Sequence, residues 1–139
     1  MNLSKKAVYA IKAVITIARK VDNKPIKICE ISKKESIPIK FLEQILLNLK
    51  NSGILNSKRG TSGGYLLAQS KDNISVGAIL EIIDGPFDPI GIKSGGDLSI
   101  GLEKCFSDMN NMVNEHLHSY TIQKILEIEN PKDLIAFEI

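Results

Sequence analysis

A periodic run of apolar residues that leads directly into a glycine-rich turn limits the fold of this chain more than any other feature. The run predicts a helix from about Ile39 to Asn51, ended by Gly53 in the usual C-terminal position. Its apolar stripe consists of Leu42, Ile45, Leu46 and Leu49. The following segment, with a strand starting at Ile54 and Leu55, the turn RGTSGG and the returning strand YLLA, predicts a β-hairpin.

Two further helices are predicted upstream of this unit. The first runs from about Lys5 to Lys20 with Ser4 as its N-cap, and the second covers about 28–34. Their inward-facing positions are Ala7, Val8, Ile11, Val14, Ile15 and Ala18 on the first helix and Ile28 and Ile31 on the second. Pro38 suits the first turn of the third helix. Three helices and a hairpin predict a mainly α-helical fold, a winged helix-turn-helix.

The glycine-rich turn places Lys58 and Arg59 beside Gly60, Gly63 and Gly64, which leaves three interpretations open. A Walker-type phosphate loop would need Gly-Lys-Ser/Thr at the start of a helix, whereas a strand follows this turn. A plain hairpin turn needs no partner. The third interpretation, a wing tip that contacts nucleic acid, is favoured because glycines let the backbone approach a phosphate closely.

The charge of the chain is unevenly distributed. Residues 1–71 carry 14 Lys or Arg against 4 Asp or Glu, whereas residues 72–139 carry 4 against 12. The first half therefore has a formal charge of +10 and the second half −8, although the whole chain has only +2. A basic half that coincides with the predicted helices and wing favours contact with nucleic acid over a merely solvated surface.

The predicted third helix directs four polar side chains away from its apolar stripe: Lys40, Glu43, Gln44 and Asn48. Gln can pair with adenine, and Glu can accept from the cytosine amino group, in the major groove. An ordinary helix surface is the alternative. Arg59 suits the narrow minor groove, and lysines suit phosphates. The candidate DNA-contacting residues are Lys5, Lys6, Pro38, Lys40, Phe41, Glu43, Gln44, Asn48, Lys58, Arg59, Gly60, Gly63, Gly64 and Tyr65.

The second half of the chain predicts an assembly element. A helix over 74–84 ends at Gly85-Pro86, a loop covers 85–100, and a long amphipathic helix begins at about Gly101. We divide the chain into a DNA-binding domain over 1–84, this loop, and a dimerisation helix with a C-terminal tail over 101–139. The candidate dimer interface is Leu102, Cys105, Phe106, Met109, Val113, Leu117 and Tyr120. Packing within one subunit is the alternative.

Several classes of protein are disfavoured by what the sequence lacks. No apolar run approaches membrane-spanning length and the first residues show no signal-peptide pattern, so a cytoplasmic protein without membrane contact is expected. Two distant cysteines do not form a disulfide framework. No nucleophile–base pair or carboxylate dyad stands out at a fixed spacing, so the chain is not expected to be an enzyme.

Four segments together resemble the Rrf2 family of bacterial transcription regulators: YAIKAVITIA, FLEQILLNLKNSGILNSKRGTSGGYLLA, ISVGAILEIIDGP and LHSYTIQKI. The resemblance covers the whole chain and implies a winged helix-turn-helix dimer that binds pseudo-palindromic operators, usually as a repressor. The expected partners are therefore double-stranded DNA and a second copy of the chain. A winged-helix module that acts through protein contacts, or a thiol-based redox sensor acting through a partner protein, is the alternative.

The chain departs from the iron–sulfur members of this family. Those members have three cysteines in the loop and at the start of the long helix, whereas no cysteine lies between Phe87 and Lys104, and Ile100 occupies the third ligand position. The segments IIDGPFDPI and DLIAFEI resemble the cluster-free branch, that of the cysteine-metabolism repressor. The resemblance thus implies no metal and no cofactor, and a partner enzyme of the cysteine-synthase type as the effector. A small molecule or a thiol oxidation is the alternative effector.

Two histidines and one cysteine remain to be assigned. His116 and His118 lie two apart on the predicted helix and point to different sides, so they are not expected to bind one metal ion. Cys29 has lysines nearby, and neighbouring cations favour the reactive thiolate. It is the candidate redox residue, although an inert half-buried thiol is the alternative.

Overall fold

The computed structural model of the chain describes residues 3–86, 88 and 97–130. Its elements are, in order, α1 (Lys5–Ala18), α2 (Ile28–Glu35), α3 (Ile39–Asn51), β1 (Leu55–Lys58), β2 (Gly64–Leu67), a 3-10 turn (Lys71–Asn73), α4 (Val76–Asp84), α5 (Ile100–Ser119) and α6 (Ile122–Glu129). The predicted fold class, mainly helical with one hairpin, is confirmed. Most of the predicted loop and the tail beyond residue 130 lie outside the described residues.

Helix α1 is the centre of the core and packs against α2, α3, α4 and α6. Ser4 caps it as predicted, accepting from the Ala7 amide at 3.0 Å, but the helix ends at Ala18 rather than Lys20. Its buried face also differs from the prediction, because Val8, Ile11 and Ile15 are only half-buried. The buried residues are Ala7, Ala10, Ala13, Val14, Thr16, Ile17 and Ala18. Alanines at the contact let neighbouring helices approach closely.

The turn between α2 and α3 is tight and internally bonded. Ser36 adopts the left-handed conformation with φ 55°, and the Ser32 hydroxyl donates to the Ile37 carbonyl at 2.6 Å. Helix α3 then spans the predicted residues, and its four predicted apolar positions are fully buried. Pro38 is the N-cap of α3 rather than part of its first turn. The pair forms the predicted helix-turn-helix.

The wing is a two-stranded antiparallel sheet in which Leu55 pairs with Leu67 and Lys58 pairs with Gly64. An additional bridge, which the sequence does not predict, joins Ile26 to Tyr65 through amide–carbonyl bonds of 2.9 and 2.8 Å. Gly64 lies directly against the Ile26 backbone, with φ +145°. The wing is therefore fixed at its base to the segment before α2.

The C-terminal part of the chain forms two helices, α5 and α6, where one helix and a tail were predicted. Helix α4 starts at Val76, two residues later than predicted, and an isolated bridge joins Ser75 to Thr121. Thr121 caps α6 by accepting from the Lys124 amide at 3.1 Å, so the chain turns after Tyr120. Ile122 is fully buried in the core. Helix α6 thus belongs to the body of the protein rather than to an extended tail.

Candidate nucleic-acid interface

The outer face of α3 is the best-formed candidate surface. Lys40, Glu43 and Gln44 are exposed, and Asn48 is half-buried. They lie opposite the stripe that anchors the helix in the core, so the backbone that carries them is held rigidly. A rigid helix with donors and acceptors on its free face can present them to base edges in a major groove.

The N-termini of α2 and α3 differ from those of the other described α-helices. Side-chain hydroxyls of Ser4, Ser75, Ser99 and Thr121 cap α1, α4, α5 and α6. By contrast, Lys27 and Pro38 occupy the cap positions of α2 and α3 and provide no side-chain cap. The Glu30 amide of α2 donates to the Lys27 carbonyl at 3.0 Å. No side chain in the described residues caps the other first-turn amides of these two helices, and such amides attract phosphate groups.

Aromatic contact fixes the start of α3 against α1. Phe41 has 54% of its surface exposed and its ring lies 6.5 Å from the ring of Tyr9, at an interplanar angle of 55°. This distance and tilt suit an aromatic pair. Pro38, the N-cap, is exposed as well. Both residues thus border the outer face of α3, and their contact with DNA stays a prediction.

The wing loop separates exposed tip residues from glycines with a structural role. Lys58, Arg59 and Gly60 are exposed. Gly63 is buried, and a side chain there would collide with the carbonyl oxygen of Lys58. The half-buried Gly64 and Tyr65 lie at the base of the wing, where Tyr65 packs on the core. The exposed tip residues can therefore contact phosphates directly, whereas Gly63, Gly64 and Tyr65 hold the loop in shape.

Several cations at this surface make no ion pair with any carboxylate that the structure describes. Within the described part of the chain, no ion pair involves Lys5, Lys6, Lys40, Lys58 or Arg59. Lys5 is exposed and Lys6 is half-buried in the first turn of α1. Ion pairs occur instead elsewhere, for example between Arg19 and Glu129 at 2.6 Å. Unpaired ammonium and guanidinium groups are suited to neutralise phosphates.

Helix α5 has no buried residue in the described protomer, and its predicted apolar stripe divides into two edges. Phe106, Val113 and Leu117 form one half-buried edge, and Tyr120 ends the helix as its C-cap. The other edge consists of exposed residues: Leu102, Cys105, Met109 and Met112. Met112, which is 69% exposed, was not among the predicted interface residues. We call this second set the outer edge of α5.

The two histidines of α5 have separate partners. His118 packs on Gly77 of α4, and its Nε2 atom lies 3.3 Å from a carboxylate oxygen of Glu81. The ring of His116 instead lies 5.0 Å from the ring of Tyr120. Both histidines thus take part in contacts between or along helices.

The helix-turn-helix, the adjoining wing and the unpaired cations define a winged helix-turn-helix protein. The chain belongs to the Rrf2 family, since the family model, described as an iron-dependent transcriptional regulator, matches residues 3–128. It is a DNA-binding transcriptional regulator of this type. No helix in the described ranges is long and apolar enough to cross a membrane.

Individual relatives agree with this assignment. The transcriptional regulator IscR of Erwinia tasmaniensis is 29% identical over 131 residues, covering 91% of this chain and 79% of the relative. An HTH-type transcriptional regulator of Synechocystis, slr0846, is 38% identical over 100 residues, with coverages of 72% and 67%. The structure of CymR, the global cysteine regulator of B. subtilis, matches with a TM-score of 0.81 and 27% identity over 90% of this chain and 95% of that one.

The family description implies iron, and the donor groups among the described residues do not form an iron site within one copy of the chain. Cys29 lies on α2 and Cys105 on α5, both exposed. Among the described residues, no three His, Cys, Asp or Glu side chains are grouped closely enough to hold a metal ion. Iron–sulfur clusters require several converging thiolates. One subunit with two separated cysteines does not provide such a set.

Proposed function

We propose that the protein is a homodimeric repressor that binds a pseudo-palindromic operator, with α3 in the major groove and Arg59 in the minor groove. The observation that carries this proposal is the division of α3 into a fully buried apolar stripe and an exposed face bearing Lys40, Glu43 and Gln44. Because the buried stripe fixes the helix, its free face can enter a groove without distorting the core. The wing then places a cation beside the same duplex.

Backbone amides add a contact that does not depend on sequence. The first turns of α2 and α3 lack side-chain caps, and phosphates on the rim of the groove are suitable acceptors for their amides. Lys5 and Lys58 add unpaired positive charge. These contacts position the protein on the duplex, whereas Glu43 and Gln44 select bases.

A second copy of the chain covers the exposed apolar side chains on the outer edge of α5. Met109 is 50% exposed and Leu102 is 42% exposed on a helix that its own subunit covers on one side only. A two-fold pairing along this edge buries these side chains and presents two α3 helices to two half-sites.

The proposal includes no iron–sulfur cluster and no other cofactor, in keeping with the separated cysteines. The effector that relieves repression is a partner protein, a small molecule or an oxidant. As an operator-binding protein, it acts in the cytoplasm, where bacterial DNA lies.

Selection of bound sequences from random duplexes, followed by binding measurements at several salt concentrations, tests the function. We expect one inverted-repeat site and an affinity that falls linearly with salt on a double-logarithmic plot, because bound phosphates release counterions. Promoters of cysteine-metabolism genes form a second set of probes, in view of the likeness to CymR. A random pool that yields no enriched sequence, or affinities that do not change with salt, would contradict the proposal.

Two variants separate base recognition from phosphate binding. Gln44→Ala should lose about 1–3 kcal/mol of discrimination at one base pair of each half-site, because a paired base edge is left without its partner. Lys40→Ala should weaken binding to all sequences alike and reduce the salt slope by about one per lost phosphate contact. Equal effects of both variants on specific and random DNA would show that Gln44 does not contact a base.

A further inference from the structure

Leu47 is an exposed apolar residue in the middle of a polar surface. The side chain has 52% of its area exposed although α3 buries four other aliphatic residues completely. Because the apolar stripe lies on the opposite side of the helix, Leu47 adds nothing to the core. A single exposed leucine is common on proteins, so its position rather than its exposure carries the argument.

That position is the centre of the outer face of α3. Leu47 follows Lys40 by seven residues, Glu43 by four and Gln44 by three, and these spacings place all four side chains on one side of a helix. The recognition helices of homeodomains contact DNA from positions with the same spacing of i, i+3, i+4 and i+7. Seven residues correspond to about 10 Å along the helix axis, which is within the reach of a helix lying in a major groove.

The chemistry of the groove leaves one main partner for an aliphatic side chain there. Base edges in the major groove carry hydrogen-bond donors and acceptors, except for the C5 methyl group of thymine. A leucine beside Glu43 and Gln44 on the helix surface would desolvate any other part of a base edge without returning a hydrogen bond. Against a methyl group it buries apolar surface on both sides.

We propose that Leu47 recognises a thymine methyl group in each operator half-site and is a specificity-determining residue of this protein. The inference rests on the proposed function, since it names what part of the operator the α3 surface selects. Leu47 then selects a base by apolar contact alone and not by the hydrogen-bonding groups of the base edge. Thymine is then selected over both uracil and cytosine at that position.

Removing single methyl groups from the operator tests the inference. Each thymine of the selected operator is replaced in turn by deoxyuridine, which keeps every hydrogen-bonding group of the base edge and lacks only the methyl group. Binding is measured by fluorescence anisotropy at constant salt. We expect one symmetric pair of positions at which the replacement weakens binding by the wild type about fourfold per half-site, the factor that corresponds to one buried methyl-sized group.

Two variants show whether Leu47 makes that contact. Leu47→Asn has a similar size but is polar, and it should bind thymine and deoxyuridine operators equally at those positions. Leu47→Met keeps an apolar side chain and should retain most of the preference. Both substitutions lie at an exposed position, so thermal melting should change little, and the difference between the paired measurements isolates the contact.

The outcomes distinguish this inference from the proposed function. Specific operator binding without any methyl effect, or a methyl effect that persists in Leu47→Asn, would overturn the role of Leu47 and leave the DNA-binding function intact. A change of oligomeric state in Leu47→Asn would assign the residue to a protein contact instead. Loss of specific binding by the wild type itself would contradict the proposed function.

Discussion

At the scale of single residues, glycine is required at two positions of the wing for different structural reasons. Gly60 has φ +107° and nothing within 4 Å of the place where a side chain would start. Gly64 has φ +145°, and a side chain there would collide with the backbone of Ile26. Glycine at 60 is therefore needed for its backbone conformation alone, whereas glycine at 64 is needed for conformation and space together.

This difference predicts the stability of two matched variants. Gly60→Ala should lower the free energy of unfolding by about 1 kcal/mol, the cost of a strained backbone. Gly64→Ala should cost about 3 kcal/mol or more, because the wing must also move away from Ile26. Thermal melting should show this as a loss several degrees larger for Gly64→Ala than for Gly60→Ala. Equal melting temperatures would show that the bridge between Ile26 and Tyr65 does not hold the wing.

At the scale of helices and strands, the sequence predicted an element well when its own residues determined it. Helix α3 has one face of large aliphatic residues, and its ends and buried positions were correctly predicted. Helix α1 is apolar on several sides, so its buried face depends on where neighbouring helices come closest. That dependence explains why the prediction chose Val8, Ile11 and Ile15 whereas the structure buries more of the alanines.

Elements that depend on distant contacts were missed. The chain turn at Tyr120 is held by the amide of Val76, which donates to the Tyr120 carbonyl at 2.9 Å, and no local pattern indicates this partner. The placement of Gly64 and Tyr65 likewise depends on the strand-like contact of Ile26. For the candidate interface, the outer face of α3 followed from periodicity. Leu47 and Met112 were missed because neither falls on the apolar stripe that was predicted for its helix.

The uncapped N-terminus of α2 predicts that a capping substitution raises the stability of the protein and lowers its affinity for DNA. Lys27→Ser would place a capping serine three residues before Glu30, the spacing of a capping box, at a residue whose backbone is already extended with φ −73° and ψ 147°. We expect the free energy of unfolding to rise by about 1 kcal/mol. Operator affinity should nevertheless fall, because the serine occupies amides that would contact a phosphate and a positive charge is lost.

Lys27→Ala provides the matched control for this substitution. It removes the same charge but cannot cap the helix, so it should give no gain in melting temperature and a smaller loss of operator affinity than Lys27→Ser. Melting curves and titrations at one salt concentration measure both effects. Identical affinities for the two variants would mean that the first-turn amides of α2 do not contact DNA.

At the scale of the whole molecule, the outer edge of α5 predicts which changes separate the subunits. Met109→Glu combined with Met112→Glu places two charges on side chains that are exposed in one subunit and buried in the proposed dimer. The subunit should therefore stay folded, whereas the dimer should be lost because unpaired carboxylates are costly to bury. Analytical ultracentrifugation should show monomers, and operator affinity should fall because two half-sites are no longer bound together.

A control with the same added charge lies on another side of α5. Ser107→Glu combined with Asn111→Glu changes two exposed polar residues away from the outer edge, and this variant should remain dimeric with operator binding intact. Val113→Glu is less informative, because Val113 is half-buried against its own subunit and the substitution would disturb the fold. A dimer that survives the Met109 and Met112 substitutions would require another interface.

The placement of the two cysteines in the whole molecule predicts its response to metals and oxidants. Protein purified without oxygen should be colourless and should bind its operator, because Cys29 and Cys105 lie on different elements and no described His, Asp or Glu completes a metal site with either of them. Cys105 belongs to the outer edge of α5 and becomes covered in the proposed dimer. Cys29 stays exposed in the first turn of α2, beside the uncapped amides. Oxidation to a sulfenic acid there adds a polar group beside the proposed phosphate contact.

We therefore expect peroxide to weaken operator binding by the wild type and by Cys105→Ser but not by Cys29→Ser. Absorption spectra and operator titrations with and without peroxide measure both properties. A response lost only in Cys105→Ser would place the sensitive thiol in the dimer interface, and no response in the wild type would leave a ligand or a partner protein as the signal.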